Sequence, residues 1–411
     1  MLNRTAMWIG VAALLVSTGV LASCRPAQTT TVTVFSSEPL LHLYAEYFNT
    51  RHDSIYIDVQ HHDNPMRYRT QSIDPPDLII HKNPAAVYQT SWFRPLNITQ
   101  PDNTYPQLID LYRNQTGSTL VPIAFSLPII VWHDHQLGTN PPLTIGLQQL
   151  SDMAAVESAG NRLTHISFSP SWNRSLPMWY LRAKRIPLTF REPGTPSWDP
   201  DEIDSVVTLL REWITDNIGS PQQLSRFSET YMYAPYYALL REGRINHYPA
   251  DLREFFAVPP SLRRNLDFSW YGNSGRIPAS PTMLFAAVPH ESRNHRAAAH
   301  FIEWLLDSTN HLRLMEYTIE EQLPHFGFFG GYSTSISTNE RHIPHLFPEM
   351  EGKAPVASRL IFPPPVPWYW LNVERMVIEP FFQDALLGDT PLSGSELQRR
   401  IDTWLSQLGS G

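Results

Sequence analysis

Apolar positions along this chain recur with two periods, and the two periods take turns. Residues 31–35 are β-branched and alternate in polarity, the pattern of a strand. Ser36-Ser37-Glu38-Pro39 follows, and Leu40, Leu43, Tyr44, Tyr47 and Phe48 then fall at helical spacing. Ile55, Ile57 and Val59 alternate again, and Pro75-Pro76-Asp77 leads into Leu78-Ile79-Ile80, a short buried strand. Strand, helix, strand, strand in that order predicts an α/β sheet. A short helix is expected over 83–90. Residues 120–132 form a long extended run broken by Pro122 and Pro128, which makes a poor central strand. The run reads as a segment leaving one sheet and entering another, with a helix to follow over 145–155.

The theme then repeats. A strand is expected over 165–168, and a capped helix over 199–217 with Ile203, Val206, Val207, Leu210, Trp213 and Ile214 on one face. Further helices are expected over 231–242 and 294–306, the second after a strand at 283–288 and with Ala297, Ala298, Phe301, Ile302 and Leu305 inward. Gly327-Phe328-Phe329-Gly330-Gly331-Tyr332 reads as an aromatic-glycine loop. Pro363, Pro364, Pro365 and Pro367 surround the approach to Trp368-Tyr369-Trp370, and two last helices are expected over 373–387 and 396–408. The sequence shows no internal repeat and no low-complexity tract.

The N-terminus changes the picture. Arg4 precedes an apolar run over 7–21, too short for a comfortable bilayer span, and the run closes with Leu21-Ala22-Ser23-Cys24. That stretch resembles the lipobox of bacterial lipoproteins, which implies cleavage before Cys24 and acylation of its sulfur and amine. Cys24 is the single cysteine among 411 residues, so no disulfide pair can form within the chain. Residues 1–23 are thus expected to be a signal peptide and 24–30 a lipidated tether on the outer face of the cell membrane. The remainder is long enough for two domains. Charged residues make up only 17% of the chain, at a net charge of −8, and no basic stripe appears, which argues against nucleic acid. The chain also lacks a nucleophile elbow, a phosphate loop and a His-Glu-x-x-His motif, so no enzymatic activity and no cofactor are expected.

The order of elements resembles the type II extracellular solute-binding proteins of ABC importers, the group that includes maltose-binding proteins. The resemblance is carried by the first strand with Ser36-Ser37-Glu38, by Tyr47-Phe48-Asn49, and by Pro75-Pro76-Asp77-Leu78-Ile79. Val121-Pro122-Ile123-Ala124 through Trp132 looks like that family's crossing between lobes. Pro141-Pro142-Leu143-Thr144 and the 296–308 helix match in the same way. It implies a two-lobed α/β fold, with lobe 1 formed by 31–125 plus 287–325 and lobe 2 by 126–286 plus 326–411. Crossings between lobes are expected near 122–128, 283–288 and 323–327. It also implies a monomeric receptor that captures a small solute, with carbohydrate favoured, and delivers it to permease subunits in the membrane. Alternatives are a ferric-iron or other metal receptor of the same fold, and a lipoprotein that senses or adheres without transport.

A carbohydrate site pairs aromatic faces with carboxylates, amides and hydroxyls. The loops and crossings offer Glu38, Trp92, Ser126, Trp172, Trp270, Tyr271, Phe328, Tyr332, Trp368 and Trp370 as candidates. Glu38 serves equally well as a charge at a helix N-terminus, and Trp92 reads better as packing. In an extended 368–370, Trp368 and Trp370 would face one way and Tyr369 the other. For metal, Tyr236 and Tyr237 are the alternative, while His61-His62-Asp63 and His133-Asp134-His135 read better as solvated corners.

Overall fold

The computed structural model describes residues 29–71, 74–82, 91–98, 103–114, 117–134, 141–191, 195–364 and 366–408. Cys24, the expected signal peptide and the helix expected over 83–90 lie outside these residues. Two sheets carry the architecture. The first has six strands in the order β11-β4-β10-β3-β1-β2. They are β1 (Thr30–Ser36), β2 (Ile55–His61), β3 (Leu78–Lys82), β4 (Val121–Phe125), β10 (Leu284–Ala287) and β11 (Tyr332–Ser333). The second has four strands in the order β7-β5-β8-β6. These are β5 (Pro128–His133), β6 (Thr144–Ile145), β7 (His247–Asp251) and β8 (Leu266–Tyr271).

In the first sheet β1 runs parallel to both β2 and β3, in the register Val34↔Val59 and Phe35↔Ile79. The central strands read as continuous apolar runs because helices cover both faces, and Leu78, Ile79 and Ile80 have no exposed surface. Helix Leu40–Asn49 buries Leu40, Leu41, Tyr44, Ala45 and Phe48. Asp77 pins this lobe together. Its Oδ1 accepts from Ser292 Oγ at 2.9 Å and Asn294 N at 3.0 Å, and its Oδ2 from Asn294 Nδ2 at 3.1 Å and Thr33 N at 3.3 Å.

The proline-marked run does change sheets, and each half is central in its own sheet. β4 lies between β10 and β11, with a register shift between Leu284 and Phe285, the latter paired with Pro122. Pro128 is the first residue of β5, where its missing N–H does least harm. A second passage leaves β8, forms β9 (Ile277–Pro278) and returns to β10. The third is β12 (Leu360–Ile361), parallel to β9 with Ile277 opposite Leu360. It falls there, and not near 323–327, because the 327–331 loop turns the chain back onto the first sheet. Gly327 and Gly330 have positive φ, and a Cβ on Gly331 would meet Phe125 O at 2.3 Å, so the loop can lay Tyr332 beside Phe125. β11 therefore joins the first sheet, and not the second lobe to which a boundary at 326 assigns it.

Beyond β12 the C-terminal helices pack on helix Pro200–Ile218, where Arg211 donates to Ala385 O at 2.7 Å. That helix begins at an Asp199 cap, whose side chain accepts from Asp201 N. Its Trp213 donates to Leu147 O, which attaches this layer to the second sheet. Among the described residues no helix is long and apolar enough to cross a membrane.

Candidate functional site: a polar cleft at the strand ends

The parallel strands of the first sheet end at one rim, and their last residues set the site. After β1 come Ser37 and Glu38; β3 finishes with His81 and Lys82. Ser37 Oγ and His81 Nδ1 share a hydrogen bond of 2.7 Å, and Lys82 Nζ stands 3.8 Å from Glu38 Oε2. Burial, then the nearby Lys82 charge, pushes the His81 imidazole down to about 4. Facing this rim, β7 ends at Asp251, which caps helix Leu252–Ala257 in a reciprocal box with Glu254. Asp251 Oδ1 accepts from Arg253 N at 3.0 Å and from Ser126 Oγ at 2.6 Å. Ser126 sits in the first crossing, and its carbonyl accepts from Ser280 N in the second. Arg253 Nε donates to Gly330 O across to the first sheet.

A further wall comes from helix Leu176–Lys184 and the C-terminal helical run. Ser175 Oγ donates to Glu379 Oε1 at 2.6 Å. Glu374 accepts from Arg182 Nη2 at 3.0 and 2.9 Å and from Trp370 Nε1 at 2.8 Å. Burial raises the carboxyl pKa values of both Glu254 and Glu379. Together these elements enclose a cavity of about 570 Å³ that also reaches Asn173, Trp179, Thr282, Trp368, Asn372 and Arg375. The lining is rich in donors and acceptors, and among the described residues Trp179, Trp368 and the His81 imidazole supply its aromatic rings. Such a cavity suits a small polyhydroxylated solute, which needs many oriented polar partners and few apolar contacts.

A second cavity of about 570 Å³ is predominantly apolar. Leu181, Trp198, Phe362, Pro363, Val366 and Trp370 are among its walls. Arg182 lines this cavity while its partner Glu374 lines the polar one, so the ion pair stands in the partition between them.

No family model matches the sequence, and no curated protein matches it. Solved structures match nearly the whole chain. An ABC substrate-binding protein from Listeria monocytogenes, solved in complex with cycloalternan, is 14% identical with a TM-score of 0.59, over 93% of this chain and 100% of that one. The GacH receptor of Streptomyces glaucescens, solved unliganded and with acarbose, is 12% identical at a TM-score of 0.60, over 92% and 98%. The maltose/maltodextrin-binding domain MalE from Bdellovibrio bacteriovorus, bound to maltotriose, is 10% identical at 0.57, over 93% and 100%. The chain has the two-lobed α/β fold of these structures.

Within that fold the aromatic candidates scatter. Trp368 lines the polar cleft. Trp370 does not share its face, because 368–369 is a turn and a helix starts at Trp370; its ring is buried and borders the apolar cavity. Trp270 and Tyr271 are core residues of β8, and the Trp270 Nε1 donates to Lys353 O. Phe328 is fully buried, stacked on Tyr44 and against His311, and Tyr332 packs with Phe125 and Trp270. These four rings satisfy the demand of two large cores for desolvated aromatic surface, and none reaches the cleft. Trp172 packs between Phe168 and Phe227, and Trp92 lies under the Arg69 guanidinium. Ser126 is buried at the joint with its hydroxyl committed to Asp251. Glu38 is buried behind the rim beside Lys82.

The paired tyrosines stay apart from the cleft, whereas Asp63 of the His61-His62-Asp63 corner lines it. Tyr236 stacks on Tyr248 at 4.7 Å, and its hydroxyl points to Glu254 O at 3.5 Å. Burial, then the Glu254 charge, raises its phenol pKa, the direction opposite to the one an iron phenolate requires. Tyr237 lines a separate small cavity with His133 and Arg241. His61 pairs with Asp63 at 3.6 Å, while His62 packs on Phe35 and Tyr68. His133 pairs with Asp134 at 3.0 Å, and His135 is outside the described residues. Among the described residues no group of three His, Cys, Asp or Glu side chains is placed to hold a metal ion.

Most of the cleft wall was missed in the sequence: Ser37, His81, Lys82, Asp251, Arg253, Ser175, Glu374, Arg375 and Glu379. Two signals could have found part of it. Lys82 ends the apolar run Leu78-Ile79-Ile80, where parallel strands present ligand-binding residues. The capping pair Asp251 and Glu254 marks the next strand-to-helix corner.

Proposed function

We propose that the chain is an extracytoplasmic solute-binding receptor that captures a carbohydrate between its lobes and presents it to an ABC importer. The observation that carries this reading is the polar cleft, bounded by strand ends of both sheets and lined by Ser280, Pro281 and Thr282 of the second crossing between them. A solute held by both walls adds contacts only when the lobes close, so binding biases an open–closed equilibrium that a membrane permease can read. The wall residues serve as binding partners, and no reaction is assigned to them. Lipidation at Cys24 would hold such a receptor at the outer face of the membrane, as a monomer on a short tether.

Thermal melting against a panel of mono- and oligosaccharides, Fe(III) and Zn(II) tests the ligand class, because a ligand of the folded state raises Tm by mass action. A saccharide that raises Tm should also compact the protein in small-angle scattering. Stabilisation by Fe(III) with every saccharide silent, or saccharide binding with no compaction, would overturn the carbohydrate receptor or the closure respectively.

A further inference from the structure

We propose that the solute is an acidic saccharide, its anionic group seated among Lys82, Arg253 and Arg375. The proposal rests on the carbohydrate reading above and narrows it. All three cations line the polar cleft. Lys82 ends β3 in the first sheet, Arg253 follows β7 of the second, and Arg375 stands on the C-terminal helical run. Lys82 feels both guanidinium charges: burial, then Arg253, lowers its pKa, Glu38 and Asp251 raise it, and Arg375 lowers it further.

Five carboxylates line the same cleft, so a count of charges alone would not call for an anion. The hydrogen-bond inventory decides. Asp251 accepts from Ser126 and Arg253 N, and Glu254 accepts from Asp251 N. Glu374 takes Arg182 and Trp370, Glu379 takes Ser175, and exposed Asp63 pairs with His61. Four of the five carboxylates of the wall accept a hydrogen bond, while Asp63 stands 3.6 Å from His61, beyond hydrogen-bond reach. The cations are different. The Lys82 side chain is 31% exposed, with Glu38 at 3.8 Å, beyond hydrogen-bond reach. Arg253 commits only its Nε, to Gly330 O. The Arg375 side chain makes no hydrogen bond among the described residues, and its charge is felt by Glu379, whose burial-raised pKa it lowers.

An ammonium and two guanidinium ends therefore point at one cavity with donors unused. A sugar hydroxyl can accept from one of them. A carboxylate or ester oxyanion accepts from several and also neutralises their mutual repulsion, which makes it the stronger partner. The scarcity of ring faces in the cleft fits the same conclusion, since stacking is the main device for holding a neutral sugar chain. An anion shared by Lys82 and Arg253 would also tie the two lobes together.

The test is calorimetry on the full chain in detergent, with matched probes. Galacturonate and glucuronate oligosaccharides are paired with their methyl esters, and sugar phosphates and sulfates with their parent sugars. Inorganic phosphate is titrated alone. The expected result is one acidic class bound at least roughly tenfold more tightly than its neutral counterpart. That preference should weaken with salt and disappear in Arg375→Gln and Lys82→Gln, both checked for unchanged melting, while Arg375→Lys retains part of it. Which acidic class binds distinguishes a uronate from a phosphate or sulfate ester. Neutral partners bound as tightly, inorganic phosphate bound as tightly as any sugar ester, or a preference that survives both glutamine variants would overturn the proposal and leave the carbohydrate reading standing. Silence of every saccharide, acidic and neutral, would overturn both.

Discussion

Asp77→Ala isolates the tie that holds the first lobe together. The carboxylate is only 7% exposed and accepts four hydrogen bonds, from Thr33 N, Ser292 Oγ, Asn294 N and Asn294 Nδ2. These join the start of β3 to β1 and to the turn before helix His295–Leu306. A hydrogen bond to a charged acceptor contributes about 1.5–3 kcal/mol, and four on one group do not add. Two of the donors are backbone N–H groups that alanine leaves without an acceptor. We expect a loss of about 3–4 kcal/mol, read as a lower urea midpoint at unchanged slope in the solute-free protein. Asp77→Asn should fall between, since one oxygen survives while the new amide faces the donors of Thr33 and Asn294. Lys82, at the far end of the same strand, is roughly 15 Å from Asp77 by strand rise. Solute affinity should therefore stay within about twofold. A stability loss below about 1 kcal/mol, or lost binding at unchanged stability, would refute the assignment of Asp77 as a structural tie.

The other expectations are brief. Trp368→Ala should weaken saccharide binding by roughly ten- to a hundredfold at little cost in stability, while Trp370→Ala should cost about 3–5 kcal/mol of stability; calorimetry and melting separate the two, and reversed effects would reject the placement. His247 is buried with both ring nitrogens unpartnered in the structure and its pKa lowered to about 4 by burial. The unfolded chain therefore binds more protons between pH 6.5 and 4, and this residue's share of stability is lost as pH falls through that window. His247→Leu should flatten the acid limb of stability against pH by about one proton and leave stability at pH 7 unchanged or higher by about 1 kcal/mol; an unchanged slope would refute it. Cys24→Ser should abolish incorporation of labelled lipid in cells while the body still folds, and lipid uptake equal to that of the unaltered chain would reject the anchor.

Periodic burial made much of the fold legible. Helix Leu40–Asn49 buries one side of its length and β3 buries both faces of Leu78–Ile80, which the helical spacing and the continuous apolar run respectively record. Helix Pro200–Ile218 was legible twice over, from its apolar face and from Asp199 followed by proline. Other elements hid because their inward positions are polar or mixed. Helix Ser308–Glu320 buries His311 and Thr318 beside Leu314 and Met315, with His311 bonded to Thr338 and to Leu305 O. β7 reads His-Tyr-Pro-Ala-Asp, with no alternation to betray it, because its partner β5 supplies the apolar surface. The aromatic triplet failed for a geometric reason. The chain turns at 368–369 and enters a helix only at Trp370, so Trp368 and Trp370 part company where a strand would have kept them together.

The cleft itself was hard to read because it belongs to no segment. Its polar groups come one or two at a time from strand ends, a cap, the crossings and a C-terminal helix, and only the topology brings them together. The same dispersion gives the site a mechanical role. Ser126, in the first crossing, donates to Asp251 and through its carbonyl accepts from Ser280 in the second. Asp251 in turn caps the helix that carries Arg253, and Arg253 reaches Gly330 beside the first sheet. A solute that draws on Asp251 or Arg253 therefore competes with bonds that fix the joint, and those bonds must rearrange or strengthen as it binds. In the proposed receptor, binding and lobe orientation would be coupled through these few groups, to an extent set by how strongly the solute engages Arg253 compared with Gly330.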